Sequence, residues 1–417
     1  MSEDVKNLML IPSVGFWKAD NGSLLFDRKF HDGVLLYLNY WPGSIILLIA
    51  ESTFALPAFG LIEVDINTFP LQVQTLKPYE QISFEHLQNA DLVLASADDV
   101  SHLHIATLCL SSHKKCIYII EYIHETRIQI LNLSDISFWK KAKSFVWHYL
   151  KENTRIKAIK QSNGLQSNGL PALNAYGHLT PNSLLYFDTR ITDDMLITEA
   201  ALTSRLAFLD QNKPLRLTFS GRLIAMKGAD HLITLANLLK QRGVLFRFDI
   251  FGDGNLLPMM KNRVEHYQLT ERVFLHGAVD FATELLPFIS NQVDLFVCCH
   301  RQSDPSCTYL ETYSCGVPII GYNNRAHQGI LDIHDVGWSV KMNAINDLAT
   351  KIEYLSQHRE EIKQKAQTAI EFARNHTFEN TFKNRMDHCL QVLNSNDLYS
   401  SVDLEVSTTP LSETLNQ

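Results

Sequence analysis

The chain has 417 residues, 46% of them hydrophobic, which is enough for two or three domains that each bury a core. Lys and Arg number 37 against 45 Asp and Glu, a formal charge of -8, so no bulk positive field exists to hold nucleic acid. The seven Cys are odd in number, scattered and without a Cys-x-x-Cys, which fits reduced thiols in the cytoplasm better than a disulfide framework or a zinc knuckle.

In chain order, "MSEDVKNLMLIPS" puts acidic residues before a short apolar run, where an export signal has a basic start and a longer apolar core. The stretch "VLLYLNYWPGSIILLIA" is interrupted by Asn39, Pro42 and Gly43 and falls short of the roughly 20 apolar residues of a spanning helix, so it reads as helix, turn and buried strand. Strands are expected at "NLMLIPS", "SIILLIAES", "GLIEVDI", "DLVLAS", "CIYIIEYI" and "SLLYFD", giving a first α/β domain over residues 1–190. Within it, "ISFWKKAKSFVWHYLKENTR" has the pattern of a long amphipathic helix, and "SNGLQSNGLPA" after it carries two Asn-Gly turn signals. Residues 191–212 read as a connector with one helix.

The second half has a cleaner pattern. "LRLTFSG", "FRFDIFGDG", "RVFLHG", "DLFVCC" and "PIIGY" are strand-like, and helical spacing fills the intervals, as in "ADHLITLANLLKQRG" with its terminal Gly243. Alternating strands and helices imply right-handed crossovers and a parallel sheet covered on both faces, so 213–375 reads as a second doubly wound domain. A helix is expected over 376–394. The remainder, 395–417, is rich in Ser, Thr, Asn and acidic residues and is expected to be disordered.

Ligands of such sheets collect outside the carboxyl ends of the strands, so the loops there are where chemistry is sought. In "FSGRLIAMKG", Arg222 and Lys227 leave a strand end five residues apart and Gly228 opens a helix, an arrangement for a phosphate or diphosphate or, equally, for two solvated surface cations. "FGDG" lacks the third Gly of a dinucleotide fingerprint and is otherwise a Gly turn. Asp304 and Pro305 read as N-cap and first residue of a helix, with Glu311 about two turns in, among Leu310, Tyr313 and Cys315. A carboxylate in that setting needs a hydrogen-bonding ligand or an ion-pair partner.

In order along the chain, "SGRLIAMKG", "FGDG", "VFLHGAVD", "DLFVCCHRQSDPSCTYLETYSCGVPIIGY" and "DVGWSV" resemble the nucleotide-binding domain of GT-B-fold glycosyltransferases, specifically the group 1 (family 4) retaining class. The likeness runs from about 213 to 394, and the first half shares it only loosely. It implies two Rossmann-like domains facing a cleft, the helix containing "FENTFKNRMDHCLQVL" crossing back to the first domain, and transfer of a sugar, of the hexosyltransferase type, from a nucleoside-diphosphate sugar. It also implies donor contacts at Gly221, Arg222, Lys227, Gly252, Ser303, Asp304, Ser306 and Glu311, with Arg222 and Lys227 on the diphosphate and Glu311 on the ribose hydroxyls. The family's Glu, seven residues, Glu pattern places its first Glu at Ser303, with Asp304 beside it as a substitute, which leaves the donor sugar open. His124, ending "CIYIIEYIH", corresponds to the family's His near acceptor and donor sugar; the alternative for a lone His after a strand is a structural one.

Two cations and backbone N–H groups can stabilise a leaving diphosphate without a metal, and no Asp-x-Asp pair occurs in the sequence, so metal independence and no cofactor beyond the donor substrate are expected. The resemblance further implies a glycan or lipid-linked acceptor in polysaccharide or glycoconjugate biosynthesis. A lipid-linked acceptor would place the enzyme peripherally at the inner membrane face. Two other readings are a GT-B-fold nucleotide-sugar epimerase and a degenerate nucleotide-sugar or glycan-binding module.

Overall fold

The computed structural model describes residues 6–57, 60–134, 136–209 and 213–395. From 396 onward the expected disordered tail lies outside the described residues, as do 210–212 of the connector.

The first half contributes β1 (Leu8–Ile11), β2 (Trp17–Lys18), β3 (Leu24–Asp27), β4 (Ile45–Ala50), β5 (Leu61–Val64), β6 (Gln72–Leu76), β7 (Leu92–Ser96), β8 (Lys115–Ile120), β9 (Gly164–Asn168) and β10 (Ser183–Tyr186). Seven form one sheet in the order β10-β9-β8-β7-β1-β4-β6, with every neighbouring pair parallel. Its central strands are apolar on both faces because both are covered. Met9, Ile11, Ile46, Leu48, Val93 and Ala95 pack into one core, and Leu8, Leu10, Ile45, Leu47, Leu92 and Leu94 into the other.

The second half contributes β11 (Leu215–Ser220), β12 (Phe246–Phe251), β13 (Val273–Gly277), β14 (Leu295–Cys298), β15 (Ile319–Tyr322) and β16 (Gly337–Val340). They form an all-parallel sheet ordered β13-β12-β11-β14-β15-β16, the doubly wound order that reverses beside its first strand. The reversal between β11 and β14, like that between β1 and β7 in the first sheet, opens a crevice at the carboxyl ends of the strands.

The strand expected at "GLIEVDI" exists as β5, but it joins β2 and β3 in a small antiparallel sheet rather than the main one. The "SNGLQSNGLPA" segment is not a pair of turns. It supplies β9 and the helix Gly169–Tyr176, and Gln166, Ser167 and Asn168 are completely buried. Partners from distant parts of the chain make that burial affordable: Gln166 exchanges hydrogen bonds with the backbone carbonyl and side chain of Arg385, both 2.9 Å, and Asn168 Oδ1 accepts from the Asp188 N–H at 2.9 Å.

Arg385 belongs to the helix Phe378–Asn394. The preceding helix, Arg359–Asn375, packs Ala366, Ala369, Ile370 and Phe372 into the second sheet's core. The chain then breaks at His376, Thr377 caps the next helix, and Phe378, Phe382, Met386, Cys389 and Val392 enter the core of the first domain. This crossing lies against the earlier one: the Phe378 N–H donates to the Ile191 carbonyl at 2.7 Å, and Phe187 stacks edge-on against Phe372. The docking is close because Gly33 leaves room; a Cβ there would lie 2.7 Å from the Phe382 ring. Phe382→Ala is expected to cost about 3–5 kcal/mol, read as a lower midpoint in denaturant; an unchanged midpoint would show that the crossing helix does not hold the first domain.

Candidate active site

The loops leaving β11, β12, β13 and β14 surround a cavity of about 550 Å³ at the crevice of the second sheet. Ser220, Gly221, Arg222 and Lys227 come from the first loop, Phe251 and Gly252 from the second, Ala278 and Val279 from the third, and Asp304, Pro305, Ser306, Cys307, Thr308 and Glu311 from the fourth. The far wall belongs to the first half of the chain: Lys29, Glu121, Asp188 and Arg190. Two glycines set the geometry. At Gly252, with φ of 124°, a Cβ would fall 1.9 Å from the Gly221 carbonyl oxygen, and at Gly228, with φ of 69°, it would fall 2.1 Å from that of Cys299. The strand-end loops therefore meet backbone to backbone, which sets Arg222 and Lys227 at the rim of the crevice.

Charge in the cavity is dense and mostly paired. Lys29 Nζ lies 2.5 Å from Asp188 and 3.3 Å from the Cys307 sulfur. Lys227 Nζ is 3.7 Å from Asp304 Oδ2, and Arg190 Nε donates to Glu311 Oε1 at 2.7 Å while its guanidinium stacks on Phe281 at 3.7 Å. Burial alone would lower the Lys29 ammonium, but Asp188 more than reverses this and holds it protonated. Burial also pushes the Cys307 thiol up to about 12, so it is a neutral neighbour rather than a thiolate nucleophile. Among the described residues Arg222 is in no ion pair, and it is exposed to the cavity. Asp304 Oδ1 is buried without a protein partner among the described residues.

Of the residues singled out from sequence, Gly221, Arg222, Lys227, Gly252, Asp304, Ser306 and Glu311 meet on this one cavity. Ser303 does not. It is buried against the first domain, its N–H donating to Gln129 Oε1 at 3.1 Å and its hydroxyl accepting from the Arg325 N–H at 3.3 Å. His124 is also off the cavity wall, at the start of helix His124–Leu133, with Nδ1 3.9 Å from Glu152. The helix expected from Asp304 begins instead at Thr308, because Asp304 turns its side chain toward Lys227 and does not cap. Glu311 is consequently in the first turn of a short helix, closer to the strand ends than the expected placement put it. Lys29, Glu121 and Arg190 were not foreseen. For Glu121 a signal existed: a carboxylate closing the apolar run "CIYII".

Comparisons with known proteins bear on this arrangement. Residues 205–376 match the family model of glycosyl transferases group 1. This part of the chain is similar to glycosyl transferases group 1. WcaL of Escherichia coli, named as a colanic acid biosynthesis glycosyltransferase, is 26% identical over 159 residues, which cover 34% of this chain and 36% of WcaL; the chain thus spans about a third of the length of the curated relative it matches. Among solved structures, Anabaena HepE in complex with UDP superposes with a TM-score of 0.64 at 12% identity, over 93% of this chain and all of HepE. A glycosyltransferase from Rickettsia africae gives 0.61 at 12%, over 94% and 100%, and sucrose-phosphate synthase from Thermosynechococcus elongatus gives 0.59 at 12%, over 93% and 99%. The fold is GT-B, two Rossmann-like domains.

Across the cleft from the second domain, Glu121 is strongly altered by its surroundings. Burial pushes its carboxyl up to about 7, and Asp98, Asp188 and Asp304 push in the same direction. Asp98 is itself held by N–H groups of Glu121 and Tyr122 and by Arg127 at 2.5 Å. Near neutrality Glu121 is therefore partly protonated and can donate a hydrogen bond into the cavity. Between its ordinary value near 4.5 and about 7, the folded protein keeps a proton that the unfolded chain has lost, so this group costs stability as pH rises through that window. Relative to wild type, Glu121→Gln is expected to become progressively more stable from about pH 4.5 to 7 in thermal or urea unfolding; parallel pH profiles for the two proteins would show that Glu121 titrates normally.

Proposed function

We propose that the protein is a glycosyltransferase of the hexosyltransferase type that moves a sugar from a nucleoside-diphosphate sugar to a glycan or lipid-linked acceptor in polysaccharide or glycoconjugate biosynthesis. The observation that carries this reading is the convergence of Arg222, Lys227 and Glu311 on a single interdomain cavity. Transfer breaks the bond between the anomeric carbon and a diphosphate oxygen, and charge builds on the departing diphosphate. Arg222 and Lys227 are placed to receive that charge, and their attraction grows as the bond breaks. Because Lys227 is only partly neutralised by Asp304 at 3.7 Å, and Arg222 is unpaired among the described residues, the pair retains charge for a ligand.

In this reading the base lies against Phe251, Ala278, Val279 and Leu285, the apolar part of the wall. The Glu311 carboxylate accepts from the ribose hydroxyls, oriented by Arg190, which is itself fixed on Phe281. Protonated Glu121 faces the sugar or the diphosphate from the first domain and takes the place that His124 would have had, since His124 is turned to Glu152. A bound diphosphate would raise the Glu121 carboxyl further, strengthening it as a donor. Metal independence and retention of anomeric configuration belong to the same proposal, supported by the two cations at the leaving-group position and by the family of the second domain.

The complex named for HepE makes UDP the first ligand to try. Isothermal titration with UDP and other nucleoside diphosphates should show binding that Arg222→Ala and Lys227→Ala each weaken roughly 10- to 100-fold, the worth of one charge-assisted hydrogen bond, and that Glu311→Ala weakens comparably. Affinity unchanged in all three variants would end the proposal. Turnover of the matching nucleotide sugar should persist in EDTA and yield an α-linked product from an α-linked donor by NMR. Interconverted free nucleotide sugar would instead identify an epimerase.

A further inference from the structure

The helix Phe138–Lys160 is amphipathic in the wrong sense for a surface helix. In its last turns Arg155, Ala158 and Ile159 are buried against the first domain. Advancing about 100° per residue, its outer turns place Phe138, Trp139, Phe145, Val146, Tyr149 and Leu150 in an arc of about 140° on roughly the opposite side. All six are exposed, Trp139 at 81% and Phe138 at 74%. Ordinary surface helices turn such a stripe inward, and scattered exposed apolar residues do not line up on one face.

The same turns carry Lys140, Lys141, Lys143 and Lys151, with no carboxylate from Phe138 until Glu152, in a chain whose formal charge is -8. Lys143 and Lys141 flank the apolar arc on either side, and Trp, Tyr and Phe beside Lys is the composition that settles at a bilayer interface and is drawn to anionic headgroups. Among the described residues no helix is long and apolar enough to cross a membrane, so this face would lie on a bilayer rather than span it.

We propose that the outer half of this helix docks the protein on an anionic lipid bilayer, with the apolar arc in the interface and the flanking Lys141 and Lys143 among the headgroups. The rest of the fold gives that docking a purpose. A groove of about 1050 Å³ in the first domain is walled in part by Lys151, Thr154 and Lys157 of this helix and by Ser13 and Asp27. Ser13 and Asp27 also wall a second cavity, of about 280 Å³, which shares Lys29, Glu121 and Asp188 with the candidate active site. The groove and the cleft are thus linked by shared wall residues, Ser13 and Asp27 on one cavity boundary and Lys29, Glu121 and Asp188 on the next. This deepens the lipid-linked acceptor reading above, but the test below uses neither donor nor acceptor and fails independently of it.

The full-length protein would be mixed with vesicles of phosphatidylcholine alone or with roughly a third phosphatidylglycerol, separated by flotation, and followed by tryptophan fluorescence. Expected are at least about tenfold stronger partitioning onto the anionic vesicles, its loss in high salt, and a blue shift from Trp139. The triple variant Phe138→Ser, Trp139→Ser, Val146→Ser changes exposed residues only, and should lose partitioning while melting like the wild type. Wild-type protein that stays unbound on anionic vesicles, or a triple variant that binds them as well, would overturn the proposal. So would a concentration-dependent dimer that the triple variant abolishes, since the face would then be an interface between copies of this chain.

Discussion

The structure is organised by the need to match charge inside a narrow cleft. Asp188, Asp304 and Glu311 lie on one cavity with Lys29, Lys227 and Arg190, and each acid is set against one of these cations. A buried carboxylate left alone would be very costly, and a cation likewise. Pairing makes the crowd tolerable, and it uses both halves of the chain: Lys29, Asp188 and Arg190 come from the first, Asp304, Glu311 and Lys227 from the second. The interface between domains is thereby also the site. Glu121, with no ion-pair partner among the described residues, meets the same constraint by holding its proton, and Arg222 is in no ion pair among those residues.

Backbone geometry sets where these groups stand. Both sheets reverse their strand order next to the first strand, which spreads the adjoining loops apart, and glycines at 252 and 228 let those loops close to contact distances that a Cβ would forbid. The chain passes between the domains twice, near Ile191 and at Thr377, and the two passages are hydrogen-bonded together. Relative movement of the domains would have to turn about this pair of strands of chain. Gln166 and Arg385, buried and mutually hydrogen-bonded, tie the returning helix to the first sheet beside that point.

Element type and order were legible almost throughout the second half, because parallel strands covered on both faces are written as unbroken apolar runs and the helices between them keep a clear period. Legibility fell wherever polar residues occupy interior positions. The strand Gly164–Asn168 reads as turns, since Ser, Asn and Gly favour turns locally; its buried Gln166 and Asn168 are made acceptable inside a sheet by partners outside the segment, Arg385 and Asp188. Gln72–Leu76 was missed because one of its edges is exposed and its pattern mixed. The start of the helix carrying Glu311 was misplaced because Asp304 obeys a long-range attraction to Lys227 rather than its local tendency to cap.

By itself the sequence determined two doubly wound domains, the five ordered motifs of the second one, and the candidates Arg222, Lys227 and Glu311, all of which depend on neighbours close in the chain or on period. It also wrote out the aromatic and lysine-rich helix, without saying which side of it would face the protein. Only the tertiary structure decided that Glu121 rather than His124 faces the cleft, that Ser303 is spent on holding the domains together, and that Arg190 positions Glu311. Those outcomes turn on which strand ends are brought opposite one another. That is a matter of sheet order and domain packing, and local propensity carries no record of it.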